Sequence, residues 1–301
     1  MNYLCSILDY NIDFYRLKCE NCIMKTLNYL FFIMFIAFLA CSENASLEKE
    51  EQTEEEQTEE EVQTPSEPKY KDLIQDKLGS MNMPRPADSY NYPVYPGMEE
   101  WAQFKTVWEM VNACQVPEDI LKTMSTQAVI QAIWEYPFLF DILHRFEYQS
   151  DFEGTFLKNN AYNELIKRTD AGTALLERML ALDPVKWGPW FGPKAFEVLT
   201  SQAVFLSQLD DDAKKKLIKV TLKNDELRQK KGSNYPFREL TWILIGRTLV
   251  SANYPPFMEE YMKDEQMKLF LEARSYIYEE VVYGAIPQII VEYAERYLTD
   301  N

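Results

Sequence analysis

An all-α fold is the expectation for residues 69–301, on three observations. Apolar residues from Met98 onward recur at three- and four-residue spacing, the period of a helix with one buried face. The breaks between those runs carry Pro, Ser, Thr or Asp, the residues that start helices. No window alternates apolar and polar residues as a strand does, and no Asn-Gly or Asp-Gly hairpin turn occurs. The pattern predicts about ten to twelve helices with short breaks, which must bury their apolar stripes on one another. The expected packing is a stack of helical hairpins, solenoid-like in the manner of HEAT or TPR arrays.

The elements follow in order. Tyr70–Leu78 reads as a short amphipathic helix. Gly79–Gly97 is irregular, because Pro84, Pro86, Pro93 and Pro96 each remove a backbone donor and restrict the preceding residue. Its Tyr90, Tyr92 and Tyr95 are expected to lie over the domain surface. Met98–Ala113 carries Trp101, Phe104, Val107, Trp108 and Val111 as one apolar stripe. Pro117 starts Glu118–Met124, with acids in the first turn, where the helix dipole favours them. Ser125 caps Gln127–Glu135, and Pro137 opens Phe138–Tyr148. Runs from Asn160 or Ala161 to Arg168, and from beyond Thr169-Asp170 to Leu182, come next. Pro193–Leu209 follows. Asp210, Asp211 and Asp212 head a helix that Gly232 ends, and they read as helix capping, since an EF-hand would alternate its ligands around a central Gly. Pro236–Ser251, Pro256–Met262, Asp264–Tyr283 and Pro287–Leu298 complete the domain. Ser125-Thr126-Gln127-Ala128-Val129 and Thr200-Ser201-Gln202-Ala203-Val204 echo each other, at irregular distance from the other helix starts.

Upstream, Met24–Cys41 has a Lys at its second position and then Leu27–Ala40, apolar apart from Asn28. As a helix that run spans about 21 Å, short of the ~30 Å bilayer core. A charged start, a short apolar run and a small residue before a cut match a secretory signal peptide. Phe38-Leu39-Ala40-Cys41 resembles the lipobox of bacterial lipoproteins. That resemblance implies cleavage before Cys41 and acyl chains on it, hence a membrane partner reached through a lipid anchor, at an outer membrane and on its surface. Residues 1–23 lack signal character, and Met24 reads as the start of the signal peptide. Cys19 and Cys22 form a lone CxxC with no second half.

Ser42–Pro68 holds eleven Glu against one Lys. Like charges four residues apart oppose a helix, and nothing apolar is there to bury. The segment is a disordered tether of up to about 90 Å. It reads equally as a plain spacer or, by resemblance, as the acidic export signal of surface lipoproteins in some Gram-negative bacteria. The formal net charge of −17 leaves no basic footprint for nucleic acid. With Cys41 acylated, Cys114 is the one thiol of the domain, expected to be buried and inert. Arg85 through Asp183, with its RPADSYNYPVYPGMEEW, YPFLFDIL and KRTDAG segments, resembles a group of exported bacterial helical proteins. The resemblance implies export and helical content, and brings no activity and no catalytic residues.

Chemistry is sparse. His144 is the sole histidine, which excludes paired-His metal motifs. Asp141 and Glu147 lie three residues to either side, on the same helix face. The trio reads as a carboxylate-oriented general base or as an ordinary polar face. Trp187-Gly188-Pro189-Trp190-Phe191-Gly192-Pro193 is a stiff loop. Trp187, Trp190 and Phe191 either pin it to the core or present aromatic faces to a sugar or apolar partner. Glu259-Glu260 and Glu279-Glu280 are acid pairs with no assigned place. No metal site and no cofactor is expected. The expected function is a helical binding or scaffolding protein of the bacterial cell envelope with a protein or glycan partner. The alternative is a carboxylate-dependent hydrolase of envelope or host glycans. Acylation is directly measurable. A fatty-acid analogue fed to cells should label the protein, and Cys41→Ser should abolish the label; label retained in that variant refutes the lipobox assignment.

Overall fold

A computed structural model of the protein describes residues 84–139, 148–184, 192–230, 238–273 and 284–300. Among them are thirteen α-helices and one 3-10 turn (Trp101–Gln103), with no strand. The helices are α1 (Val107–Ala113), α2 (Glu118–Leu121), α3 (Thr126–Trp134), α4 (Tyr148–Phe156), α5 (Asn160–Leu165), α6 (Ala171–Ala181) and α7 (Gly192–Thr200). Then come α8 (Ala203–Leu206), α9 (Asp211–Lys230), α10 (Arg238–Ser251), α11 (Pro255–Lys263), α12 (Glu265–Glu272) and α13 (Ala285–Thr299).

The caps are those the sequence signals. The Ser125 hydroxyl accepts from Ala128 N–H at the head of α3, and Pro117 precedes α2. Asp210 Oδ1 accepts from Ala213 N–H at 2.7 Å, so the Asp210–Asp212 run begins α9 as expected. Asp264 closes α11 and caps α12, accepting from Gln266 and Met267 N–H. Each such bond satisfies a donor the helix itself leaves open.

Several expectations are corrected. The single stripe of Met98–Ala113 is split in two. Thr106 caps α1 through Glu109 N–H, so the helix begins only at Val107 and Trp101 sits in a separate turn. Val107 and Trp108, in the first turn, are 57% and 62% exposed, while Val111 and Cys114 further along are buried. Lys158 Nζ lies 4.8 Å above the Trp108 ring. Tyr92 and Tyr95 are core residues rather than a surface layer, at 2% and 1% exposure. The Tyr92 hydroxyl donates to Ala132 O at 3.0 Å, threading the proline-rich segment onto α3. Pro193–Leu209 is two helices. Ser201 Oγ and Gln202 Nε2 both donate to Val198 O, and those side chains end α7 by competing for its last carbonyls. Asp264–Tyr283 breaks early, where Ala273 takes φ 53° after α12. Helix α4, unforeseen, fills the stretch after Tyr148.

Several hydrogen bonds between separate segments join residues about 44 positions apart. Asn160 accepts from Val116 N–H, Thr126 Oγ1 donates to Asp170, and Thr241 Oγ1 donates to Glu197, each pair 44 residues apart. Arg247 donates to Ser201 Oγ across 46 residues. A second set spans about twice that: Tyr148 to Glu239 at 91, Arg247 to Gln149 at 98, Lys215 to Asp300 O at 85. The first interval falls in the ~40–47 residues of HEAT-type helical pairs. Helix contacts follow the same steps: α3 packs on α5 and α6, α6 on α8 and α9, α7 on α4 and α10, and α10 on α12 and α13. Three side-chain bonds thus tie segments about two such intervals apart.

Two buried polar clusters lie inside it. Glu197 of α7 pairs with Arg228 of α9 at 2.9 Å, and Thr241 of α10 bonds to both, all three at 3% exposure or less. At the other end Arg85 grips Glu135 with two bonds of 2.8 and 3.0 Å. Gln131 extends that chain to Arg178, whose guanidinium burial pushes down to about 10. Cys114 is buried and free, and burial pushes its thiol up to about 12.

Gly172 marks the closest approach of α6 to α8: a Cβ there would lie 2.5 Å from Phe205 O, a backbone atom. Gly154, inside α4, has nothing within 4 Å. Gly172→Ala should therefore lower stability by about 1–3 kcal/mol, the range for overpacking. Gly154→Ala should raise it by about 0.5–1 kcal/mol. Urea unfolding followed by circular dichroism reads both; equal effects would refute the packing of α6 on α8.

Candidate functional site

Asp141, His144, Glu147, Trp187, Trp190, Phe191 and Cys41 lie outside the described residues, as do Cys19, Cys22 and the Glu279-Glu280 pair. Of the other sequence candidates, Glu259 is exposed and paired with Lys263 at 2.8 Å, and Asp211 accepts from the Tyr297 hydroxyl. Among the described residues no cluster of three or more His, Cys, Asp or Glu is placed to hold a metal ion.

What the fold does assemble is a cleft where α4, α7, α8, α10, α11 and α12 meet, with a cavity volume of about 560 Å³. Its floor is buried: Gln149 from α4, Ser201 and Gln202 from the α7–α8 corner, Leu206 from α8, Leu271 from α12. Arg247, Val250, Ser251 and Tyr261 are half-buried around it, and Ala203, Ser207 and Glu272 form an exposed rim.

Each floor residue is there for a local reason. Gln149 lies in the first turn of α4, and its backbone N–H donates to Ala273 O at 2.9 Å. Ser201 and Gln202 sit at a helix break, so their side chains are turned away from a regular helix surface. The two carboxamides meet: Gln149 Nε2 donates to Gln202 Oε1 at 3.0 Å. Arg247 joins everything. Its Nη1 donates to Gln149 Oε1 at 2.9 Å and to Ser201 Oγ at 3.1 Å. Its Nε donates to Leu271 O at 2.7 Å and its Nη2 to Glu272 O at 2.9 Å. The last two carbonyls end α12, where the helix dipole is negative and a cation is favoured. This guanidinium explains why α12 stops at Glu272: it takes the carbonyls that a continuing helix would use.

None of these residues stands out in the sequence, because glutamine, serine and arginine carry no motif here. One signal was present. The echo of Ser125-Thr126-Gln127 in Thr200-Ser201-Gln202 puts both segments beside a helix start, although Ser125 is the cap of α3 and Gln202 that of α8. At the first, Arg178 donates to Gln127 Oε1 from 51 residues on; at the second, Arg247 donates to Ser201 from 46 residues on. The first corner is closed by packing, and the second is open as the cleft. The polar side chains of the floor are bonded to one another, to Arg247, to Glu153 and to Val198 O, and Leu206, Val250, Leu271 and the Tyr261 ring line the hollow beside them. A hollow of this size and make-up suits a small ligand or one segment of a larger partner.

No family model, no curated protein and no solved structure matches this chain.

Arg247→Ala should cost about 2–3 kcal/mol, as bonds from a charged donor do. The loss should be local. Hydrogen exchange should accelerate in α12 and at Gln149 well before it does in α3; a uniform change along the chain would show that Arg247 does not hold the end of α12.

Proposed function

We propose that this chain is a lipoprotein of the bacterial cell envelope, held through acyl chains on Cys41 at an outer membrane and displayed at its surface. Its helical domain, residues 69–301, recognises a partner without transforming it. The Met24–Cys41 pattern and the acidic stretch of residues 42–68 support the anchor and the stalk. No described helix is long and apolar enough to cross a membrane, and none is required, because attachment is covalent. The acidic net charge disfavours nucleic acid as a partner.

The observation that carries the binding reading is the cleft itself. Residues about one and two periods apart converge there, and their polar atoms are positioned by one another rather than by chance exposure. The rival reading, a carboxylate-dependent hydrolase of glycans, has less support. Such chemistry needs a pair of carboxyl groups facing one substrate. Of the five buried carboxylates among the described residues, Glu135, Glu197, Asp225 and Glu239 are instead held by Arg85, Arg228, Arg238 and Tyr148, and Asp151 is the fifth.

Ala203 lines the cleft with an exposed side chain, so a larger residue there fills the hollow without disturbing the core. Ala203→Trp in the full-length protein should keep the circular dichroism spectrum and melting temperature. It should also abolish capture of envelope components from a native extract. Capture that survives the substitution would place recognition elsewhere.

A further inference from the structure

The polar floor of the cleft is satisfied from within the chain. Gln149, Ser201 and Gln202 bond to one another or to Glu153, Val198 O and Arg247. What the hollow offers a partner is therefore its apolar wall: Leu206, Val250, Leu271 and the Tyr261 ring. Arg247 spends its N–H edge on the carbonyls of Leu271 and Glu272, the Gln149 amide oxygen and the Ser201 hydroxyl. A planar guanidinium engaged at its edge still attracts an aromatic ring laid on its face. Aliphatic walls, one ring and a guanidinium suit an aromatic side chain. At the rim stands the exposed Glu272 carboxylate, which makes no ion pair among the described residues. A cation beside the incoming ring is therefore favoured.

This chain displays such a group. Trp108, 62% exposed, is the one exposed aromatic side chain among the described residues. Lys158 reaches over its ring at 4.8 Å, and the exposed Val107 and Leu157 are the chain neighbours of those two residues. Together they present an indole, two aliphatic side chains and an ammonium group. The acid next to Trp108, Glu109, is turned to the Lys105 backbone N–H at 2.7 Å. The patch and the cleft lie at opposite ends of α4. Gln149 in its first turn lines the cleft, and Leu157 follows its last turn, about 12 Å further along the axis. One copy can thus give its patch to one neighbour and its cleft to another. Contacts between unlike surfaces propagate along a row instead of closing on a pair.

We infer that the cleft receives Trp108 of a second copy of this chain, with the indole among Val250, Tyr261 and the Arg247 guanidinium and Lys158 beside Glu272, so that copies associate head to tail. This rests on the reading of the cleft as the recognition site and names its partner. One side chain and its surroundings make a small contact, which suits copies held at high local concentration on a shared membrane.

The test co-expresses two full-length copies with different tags and isolates one of them through its tag in mild detergent. Wild-type copies should co-purify. Two Trp108→Ala copies should not, nor should two Ala203→Trp copies, with each loss at least tenfold. A Trp108→Ala copy keeps its cleft and an Ala203→Trp copy keeps its patch, so this mixed pair should co-purify again. A shared detergent micelle cannot produce that rescue. Both positions are exposed, so the circular dichroism spectrum and melting temperature of each variant should match wild type. Lys158→Glu should also weaken association, and Glu272→Lys in the same chain should restore it. If two Ala203→Trp copies associate while two Trp108→Ala copies do not, patch meets patch and the inference is overturned. If two Trp108→Ala copies associate while two Ala203→Trp copies do not, another group fills the cleft, and the inference fails again. It fails equally if wild-type copies stay apart or the mixed pair is not rescued. The extract capture with Ala203→Trp then decides separately whether the cleft binds a different partner.

Discussion

Glu197, Arg228 and Thr241 form the contact on which the arrangement of this domain turns. Three helices, α7, α9 and α10, each contribute one side chain, and water reaches none of them. A buried ion pair gives little net stability, because desolvation offsets the attraction. Losing one partner is far more damaging, at about 3–5 kcal/mol, since the other charge is stranded. The consequence is positional. Glu197 and Ser201 are four residues apart at the end of α7, and their partners Thr241 and Arg247 both lie on α10. The first bond sets the register of α10 against α7, and the second then falls beneath the α7–α8 corner. The cleft inherits its geometry from a pair that never touches it.

Apolar packing and polar pairing divide the work. The core, from Tyr92 through Trp134 and Phe196 to Ile290, supplies the driving force, which has no direction. Rings meet edge to face within it, as Trp134 and Phe196 do at 5.0 Å, but many offsets of a helical hairpin would bury similar area. Hydrogen bonds 44 residues apart select one offset. Where a layer is polar, at Arg85–Glu135–Gln131–Arg178, the side chains link the entering proline-rich segment, α3 and α6 in a single chain of contacts.

Much of the fold was legible because helix starts are local events. Ser125, Pro117, Asp210 and Pro256 announce themselves within a few residues, and the structure uses each as a cap or first-turn residue, with α11 beginning one residue earlier at Pro255. Errors arose where distant residues decide. Tyr92 and Tyr95 sit between prolines in a stretch with no helical period, and residues distant in sequence bury them, Ala132 of α3 taking the Tyr92 hydroxyl. Trp108 satisfies an apolar stripe on paper, yet the Thr106 cap separates its helix from Trp101 and leaves it in an exposed first turn. The break after Glu272 depends on Arg247, which lies 24 residues earlier. The cleft was the least legible feature of all: its floor comes from three separated segments of ordinary polar residues, and its meaning arises only from their meeting.

The bonds that skip a layer bear on how such a chain can change over generations. An open solenoid grows or shrinks by whole hairpins, since each unit touches only its neighbours. Here Tyr148 reaches Glu239, Arg247 reaches Gln149 and Lys215 reaches Asp300, each across two intervals. Duplicating or deleting one hairpin between Tyr148 and Asp300 would separate some of those partners or drive them together. A change of residue or loop length at the surface leaves those contacts in place, whereas a gained or lost hairpin in that stretch has to rebuild them.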